Sequence, residues 1–534
     1  CTRFVEGLAS RGGAIFNTGT ATLFNSAFEE NIANGGGAIF SAEGAVDAAG
    51  NWWRGSEPTV NDLYLGRDTI SAGVNADSPL ASDPTGESGC QAQPPVTNPE
   101  ALGAAGTAPT LTNTTAADNP SGILPQDPDL GPIIRVSVAS DGTQGNTFGQ
   151  TTNASISADG RFIVFGATYN NLVPNDTNNV ADVFLHDCQN SETIRVSVSS
   201  SGVQANGLSY PGKISSSGQF VVFESTATNL VTGDTNGVRD IYVYDHSTAQ
   251  VDRISVSTAG EQGNGNSWGG SLSGNGRFVV FSSDASNLVP GDTNGYRDVF
   301  VRDRLTSETT RISLSTSGEQ GNGNTPYYSD LITDDGNLIL FSSEAANLVE
   351  GDTNGVADTF IHNRLTGQTE RVSFAWDGSE PNFETVGTWI SPDGHYVILT
   401  SEANLVPEDT NTNEDVFFRD VQTGTVTRVS VDSEGNQAEG YSRNGVASDD
   451  GRFIAFQSSA DNLAINDTAF LDVFVHDRVT RLTILLSTAA DGTPGNDDSY
   501  VHGITQTGNY LAISSFATNL VPNDTNNGYD IFRV

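Results

Sequence analysis

The chain has 534 residues, with 24 Lys and Arg against 65 Asp and Glu, a formal charge of −41, and a single lysine, Lys213. That balance excludes a nucleic-acid or anionic-membrane binding surface, both of which need clustered cations, and no run approaches the ~18 apolar residues of a membrane helix. With 58 Gly and 20 Pro the composition is neither collagen-like nor that of a wholly disordered chain, and the length implies more than one domain.

Residues 1–16, CTRFVEGLASRGGAIF, align with 25–40, NSAFEENIANGGGAIF, at an offset of 24. Cys1 therefore falls inside a repeat. There is no methionine and no visible signal peptide, so the chain reads as a fragment cut within that repeat rather than as a lipid-anchored end. A Gly-Gly-Ala-Ile-Phe strand, a polar turn and Asn-Ser-Ala-Phe fit one coil of a parallel β-helix, whose coils bury their apolar residues only by stacking. Residues 1–82 resemble the C-terminal end of right-handed parallel β-helix proteins of the pectate-lyase-like and polymorphic outer-membrane type. Gly50-Asn51-Trp52-Trp53 followed by Ser56-Glu57-Pro58 looks like their last coil and cap. Trp52 and Trp53 could stack on sugar, but capping the core is the better reading.

Residues 83–130, rich in Pro, Ala, Thr, Asn and Gly and without a period, read as an extended linker. Cys1, Cys90 and Cys188 have no metal-ligand spacing, and an odd count gives no disulfide framework. Cys188 reads as an incidental surface thiol.

A second repeat fills 131–534. Arg-Val-Ser-Val or a variant begins at Arg135, Arg195, Arg253, Arg311, Arg371, Arg428 and, degenerate, Leu485, with spacings of 57 to 60 residues. Each unit shows four short alternating strands separated by Gly/Asp turns, the pattern of a propeller blade. The last unit ends on its third strand, Asp530–Val534. The first is preceded by a surplus strand, Ile133–Val138. Pairing the two gives a seven-bladed β-propeller closed by an N-terminal outer strand, without a free edge, and implies that little or nothing is lost at the C-terminus. The whole chain is then all-β. Ser391-Pro392-Asp393-Gly394, Ser448-Asp449-Asp450-Gly451-Arg452-Phe453 and Asp240-Ile241-Tyr242-Val243-Tyr244-Asp245 resemble the repeats of TolB-like, or PD40-type (WD40-like), β-propellers. The resemblance implies the fold; that fold hosts many functions.

The loop between the second and third strands departs from that family's pattern and repeats as Asp-x-Asn-x-x-x-Asp. Its residues are Asp176, Asn178 and Asp182; Asp234, Asn236 and Asp240; Asp292, Asn294 and Asp298; Asp352, Asn354 and Asp358; Asp409, Asn411 and Asp415; and Asp524, Asn526 and Asp530. A seventh copy, Asp467-Thr468-Ala469-Phe470-Leu471-Asp472, lacks the Asn and is one residue shorter. Two readings stand side by side. Carboxylates and an amide carbonyl before a strand are the ligand types of Ca²⁺, and the spacing is similar, at two residues shorter, to the calcium loops of FG-GAP propellers. The same residues also make Asx turns without any metal, the loop's Leu-Val packing down on the blade. The connections between blades, such as Gly260-Glu261-Gln262-Gly263-Asn264, belong to the same face. Carboxylates crowded there with few cations beside them favour salt or bound ions.

Catalytic signals are weak. Gly265-Asn266-Ser267-Trp268-Gly269 matches a nucleophile elbow in letters but not in context, which requires a strand-turn-helix. The six histidines are scattered, and acids are too numerous for any pair to stand out. The sequence therefore points to a non-catalytic, extracellular or cell-surface binding or adhesion scaffold whose partner is a protein or glycan. Two alternatives are a carbohydrate-active enzyme with catalytic coils upstream of residue 1, and a periplasmic TolB-like partner in an envelope complex.

Overall fold

In the computed structural model the described residues are 133–146, 151–326, 330–465, 467–468 and 470–534, with the backbone of short strands between Thr2 and Thr69. The chain divides into two compact units, Cys1–Gly106 and Thr107–Val534.

In the first unit, Thr2–Val5 pairs in parallel with Ser26–Glu29, Thr2 opposite Ser26, and Ile15–Asn17 with Ile39–Ser41, Ile15 opposite Ile39. Trp52 and Trp53 continue the first of these sheets, opposite Ala27 and Phe28. The expected role of the two tryptophan side chains, the course of the coils and the 83–130 linker lie outside the described residues.

The second unit is a seven-bladed β-propeller. Seven four-stranded sheets follow one another, and no helix occurs among the described residues. Six blades use four consecutive strands, as in blade 1: Thr151–Ile156, Phe162–Ala167, Asp182–Asp187 and Glu192–Arg195, all antiparallel. Blades 2 to 6 begin at Ser209, Ser267, Leu331, Thr385 and Ser442. Blade 7 has Ser499–Ile504, Leu511–Ser515 and Asp530–Arg533, and takes its outer strand from Ile134–Arg135, with Ile134 opposite Arg533 and Arg135 opposite Phe532. The bond Val136 N–H to Ile531 O, 2.8 Å, continues that seam. The ring closes as its sequence implies.

The second and third strands carry apolar side chains on both faces, because each face meets a neighbouring blade. Phe162–Ala167 and Asp182–Asp187 are buried throughout. One core cluster joins Val164 and Val183 of blade 1 to Val221, Phe223 and Tyr242 of blade 2. In five blades two aromatic rings of adjacent strands stack, for example Phe281 and Phe300 with centroids 5.9 Å apart. Burying each ring is worth about 2 kcal/mol. The hairpin turn between the first two strands is set by a serine: Ser157 Oγ donates to Asp159 Oδ1 at 2.6 Å and accepts from Phe162 N–H at 3.0 Å. The glycine that follows in such turns is needed twice over. Gly218 has φ +76°, and a Cβ there would lie 2.2 Å from the Phe162 ring of the preceding blade.

Blades are also tied at the rim. Thr309 Oγ1 donates to Val256 O at 2.6 Å, and Thr483 Oγ1 to Val431 O at 2.5 Å, each reaching back to the connection before its own blade. His186, His362 and His476 sit beside such threonines, each with Nδ1 2.9 Å from the hydroxyl. Burial lowers their pKa to about 4, so they are neutral structural groups. Cys188 is partly buried and packs against the blade 1 core, and burial raises its pKa to about 11. That corrects the reading of a surface thiol: the sulfur is sheltered and held protonated.

Candidate functional site

The Asp-x-Asn loops lie at one end of the ring, where the second strand of each blade turns into the third. Their leucines anchor them: Leu172, Leu230, Leu288, Leu348, Leu405, Leu463 and Leu520 are all buried. The two aspartates of a loop converge, and between them lies the arginine that opens Arg-Val-Ser-Val on the same blade's outer strand. Arg195 Nη1 is 3.1 Å from Asp176 Oδ1 and 3.3 Å from Asp182 Oδ2. Arg311 Nη1 is 3.1 Å from Asp292 and 3.0 Å from Asp298. Arg253 bridges Asp234 and Asp240, Arg371 bridges Asp352 and Asp358, and Arg428 bridges Asp409 and Asp415. At the closing seam Arg135, from the far end of the propeller sequence, bridges Asp524 and Asp530.

The rest of the motif completes this lock. The serine of Arg-Val-Ser donates to the closing aspartate in all seven blades, as in Ser313 to Asp298 at 2.5 Å. It accepts the next backbone N–H, Val299 N at 3.1 Å. Asn178, Asn236, Asn294 and Asn354 turn their amide nitrogens towards the closing aspartate at 2.8 to 3.0 Å. Asn411 and Asn526 instead donate only to a backbone carbonyl, Ala438 O and Gly145 O. The connection to the next blade closes the top: Gln262 Nε2 donates to Thr235 Oγ1 at 2.7 Å, and Thr235 N–H donates to Gln262 Oε1 at 3.2 Å. Glu380 takes the glutamine's place on Thr353 and adds a 2.6 Å ion pair to Arg371.

The structure thus brings the eighteen predicted residues together in six separate triads, each with a cation already in it. Calcium needs converging oxygens; in four triads three N–H or O–H donors converge on the closing carboxylate instead. The acids expected to crowd here with few cations beside them have one arginine in each of the six complete loops. Burial still tells: it pushes Asp415 up to about 6 although Arg428 lies beside it. Asp409 differs from the other loop acids in that neither of its buried oxygens accepts a hydrogen bond, Arg428 Nη1 being 3.1 Å from Oδ1.

The seventh loop has lost both partners. Leu485 stands where the arginine belongs and Ala469 where the asparagine belongs. Thr468 Oγ1 donates to Asp472 Oδ2 at 2.9 Å, and Asp467 Oδ2 is buried without a partner. Burial and the second carboxylate raise the pKa of Asp467.

Inside the ring of loops, the first strands line an axial cavity of about 980 Å³. Glycines at the bulges of these strands, Gly269 and Gly270 among them, keep it wide. At the opposite end the hairpin turns of neighbouring blades bond to one another, Ala158 N–H to Ser216 O at 3.1 Å, Gln506 N–H to Ala158 O at 3.3 Å and Gly274 N–H to Asp334 O at 3.1 Å, and Ser216 Oγ of blade 2 reaches past blade 3 to Asp334 Oδ1 of blade 4 at 3.2 Å. The cavity is therefore a pit that narrows to a floor of turns. Its mouth carries Tyr210 and Trp268, half-buried, with the Arg239 and Arg297 guanidiniums 5.3 and 4.4 Å from their ring centroids. Arg239 pairs with Glu224 at 2.7 Å, and Glu224 also accepts Gly269 N–H at 3.0 Å. Glu384, Glu402, Glu414 and Arg443 complete the charged rim. Sequence reasoning missed this pit because its residues vary from blade to blade and carry no repeated signal. Ser267, of the elbow-like string, is buried and bonded to Ser283 at 2.9 Å, as Ser209 is to Ser225, so it is a strand fastener. Among the described residues no three His, Cys, Asp or Glu are grouped to hold a metal.

Fold and pit together define a seven-bladed β-propeller protein with an axial pocket. No family model matches the sequence, and no curated protein matches it. Similar solved structures include an oligogalacturonate lyase in complex with manganese (12% identity, 76% of this chain and 94% of that one, TM-score 0.44). TolB from Acinetobacter baumannii is 15% identical over 72% of this chain and 84% of its own, with a TM-score of 0.33. The β-propeller domain of the Trilobed protease from Pyrococcus furiosus is 11% identical over 69% and 90%, with a TM-score of 0.43. At these values no chemistry carries over, and the blade count rests on the sheet topology itself.

Proposed function

We propose that this chain is a non-catalytic binding scaffold of the cell exterior, and that the mouth of the axial pit is where its propeller meets a protein or glycan. The observation that carries this reading is the pit: one end is floored by turns, and the other is open and rimmed by half-buried aromatic rings held in place by arginines. Aromatic faces with polar edges are suited to sugar and peptide recognition. Six of the surrounding loops hold an arginine between their aspartates, which suits a rigid frame. Residues 1–82 are read as the last coils of a parallel β-helix, supported by the 24-residue offset of the parallel strand pairs. Such coils suit export to the surface; a periplasmic TolB-like role and an enzyme with upstream coils remain the alternatives.

We further propose that arginine, and not calcium, supplies the counter-charge of the six complete loops. Calcium keeps one point in its favour, the unbonded oxygens of Asp409.

The function is tested by probing the fluorescently labelled full chain against glycan and peptide arrays. Binding to a defined subset, lost in Tyr210→Ala and Trp268→Ala at unchanged melting temperature, is the expected result. Binding that ignores both substitutions would place the site elsewhere.

A further inference from the structure

Lys213, the chain's single lysine, lies on the first strand of blade 2, Ser209–Ile214, and lines the pit. No hydrogen bond or ion pair links its amine to any described residue. The other cations of the pit are differently placed. Arg239 is committed to Glu224. Arg443, on blade 6, stacks 4.5 Å from the Tyr441 ring, and its Nε is buried without a hydrogen-bond partner. One cavity thus holds two cationic donors with unmet capacity, in a protein whose net charge is −41. Lys213 is half-buried, so its amine stands open to a ligand that enters the pit.

We propose that the pit binds a small monocarboxylate, its carboxylate held by Lys213 and its flat or apolar body facing the rings of the mouth. This inference rests on reading the pit as the ligand site. One negative charge is specified by the rim. Burial raises the pKa of Glu414; Arg443 opposes that shift, and Glu402 and Glu384 add to it by like charge, so a second anionic group near these three glutamates would be repelled. His502, on blade 7, adds no charge: burial, with Lys213 nearby, lowers its pKa to about 3. Its Nε2 is held 2.6 Å from Ser514 Oγ, which bonds in turn to Tyr529 Oη. Burial also lowers the pKa of Lys213 itself. A carboxylate beside the amine acts against that shift and favours the ammonium.

The test is calorimetric titration of the full chain with phenylacetate, neutral phenylacetamide and dianionic phenylmalonate at pH 8. The expected result is saturable phenylacetate binding, with affinity weaker by about tenfold or more for the amide, the dianion and Lys213→Met. Lys213→Arg should retain binding, and Lys213→Met should melt close to wild type, since the amine has no hydrogen bond or ion pair to lose. Phenylacetate and phenylacetamide binding equally, with Lys213→Met unchanged and Trp268→Ala lost, would overturn the lysine anchor while leaving the pit as the site. Absence of phenylacetate binding, with the array result intact, would overturn the monocarboxylate alone. Loss of both would remove the pit as a site.

Discussion

Arg311 shows what one side chain does in this fold. It is buried between Asp292 and Asp298, with Gln320 Oε1 3.2 Å from the same nitrogen. Removing one partner of a buried ion pair leaves an uncompensated charge, so Arg311→Leu should destabilise the propeller by about 3–5 kcal/mol at neutral pH. The loss should shrink towards pH 4, where the two orphaned carboxyls can be protonated; a loss equal at both pH values would contradict the lock. Blade 6 performs the reverse experiment. Asp467 has no arginine, and its folded-state pKa is raised to about 8. A carboxyl raised in the folded state contributes stability that is present below the ordinary carboxylate range and is lost as pH climbs through the raised value. Asp467→Asn should therefore flatten that decline and melt higher than wild type at pH 8, with little difference at pH 4. Melting curves across pH read both variants. The sequence displayed every residue of the lock, but the arginine lies nineteen positions beyond the first aspartate. No local spacing shows that a guanidinium from the outer strand will reach back under the loop. The aspartates alone look like cation ligands, and so they are, for an organic cation.

The elements were far more legible. Phe-Val-Val-Phe and Asp-Val-Phe-Val strands, Ser-x-x-Gly turns and a regular unit length repeat so closely that blade number and closing partner follow from counting. Periodic burial is written into the sequence at every blade, whereas the pit is written once, in residues that differ from strand to strand. Tyr210, Trp268 and Arg443 occupy equivalent places on their strands without sharing any chemistry. The seam deserves its own test. Ile134–Arg135 pairs with Asp530–Arg533, Arg135 bridges Asp524 and Asp530, and Ser137 Oγ donates to Asp530 at 2.5 Å. Arg135→Leu should cost as much as Arg311→Leu in stability, and it should also raise hydrogen exchange along Asp530–Arg533 before any other third strand. Exchange that rises evenly in all seven blades would mean that the seam is no weaker than the rest of the ring.

At the scale of the whole molecule, a charge of −41 is borne by a frame in which six arginines are buried among acids at one end. Surface charges that are not so paired repel one another and are screened by salt. Melting temperature should therefore rise with sodium chloride, and calcium should add nothing beyond its ionic strength. The direct test is calcium titration of the full chain by calorimetry, with melting curves in EDTA and in calcium at matched ionic strength, for wild type and for Arg311→Leu. The arginine-locked account predicts no saturable heat and no calcium-specific shift in wild type. Several bound ions with a clear rise in melting temperature, weakened by Asp234→Ala or Asp298→Ala, would contradict it and make the loops metal sites.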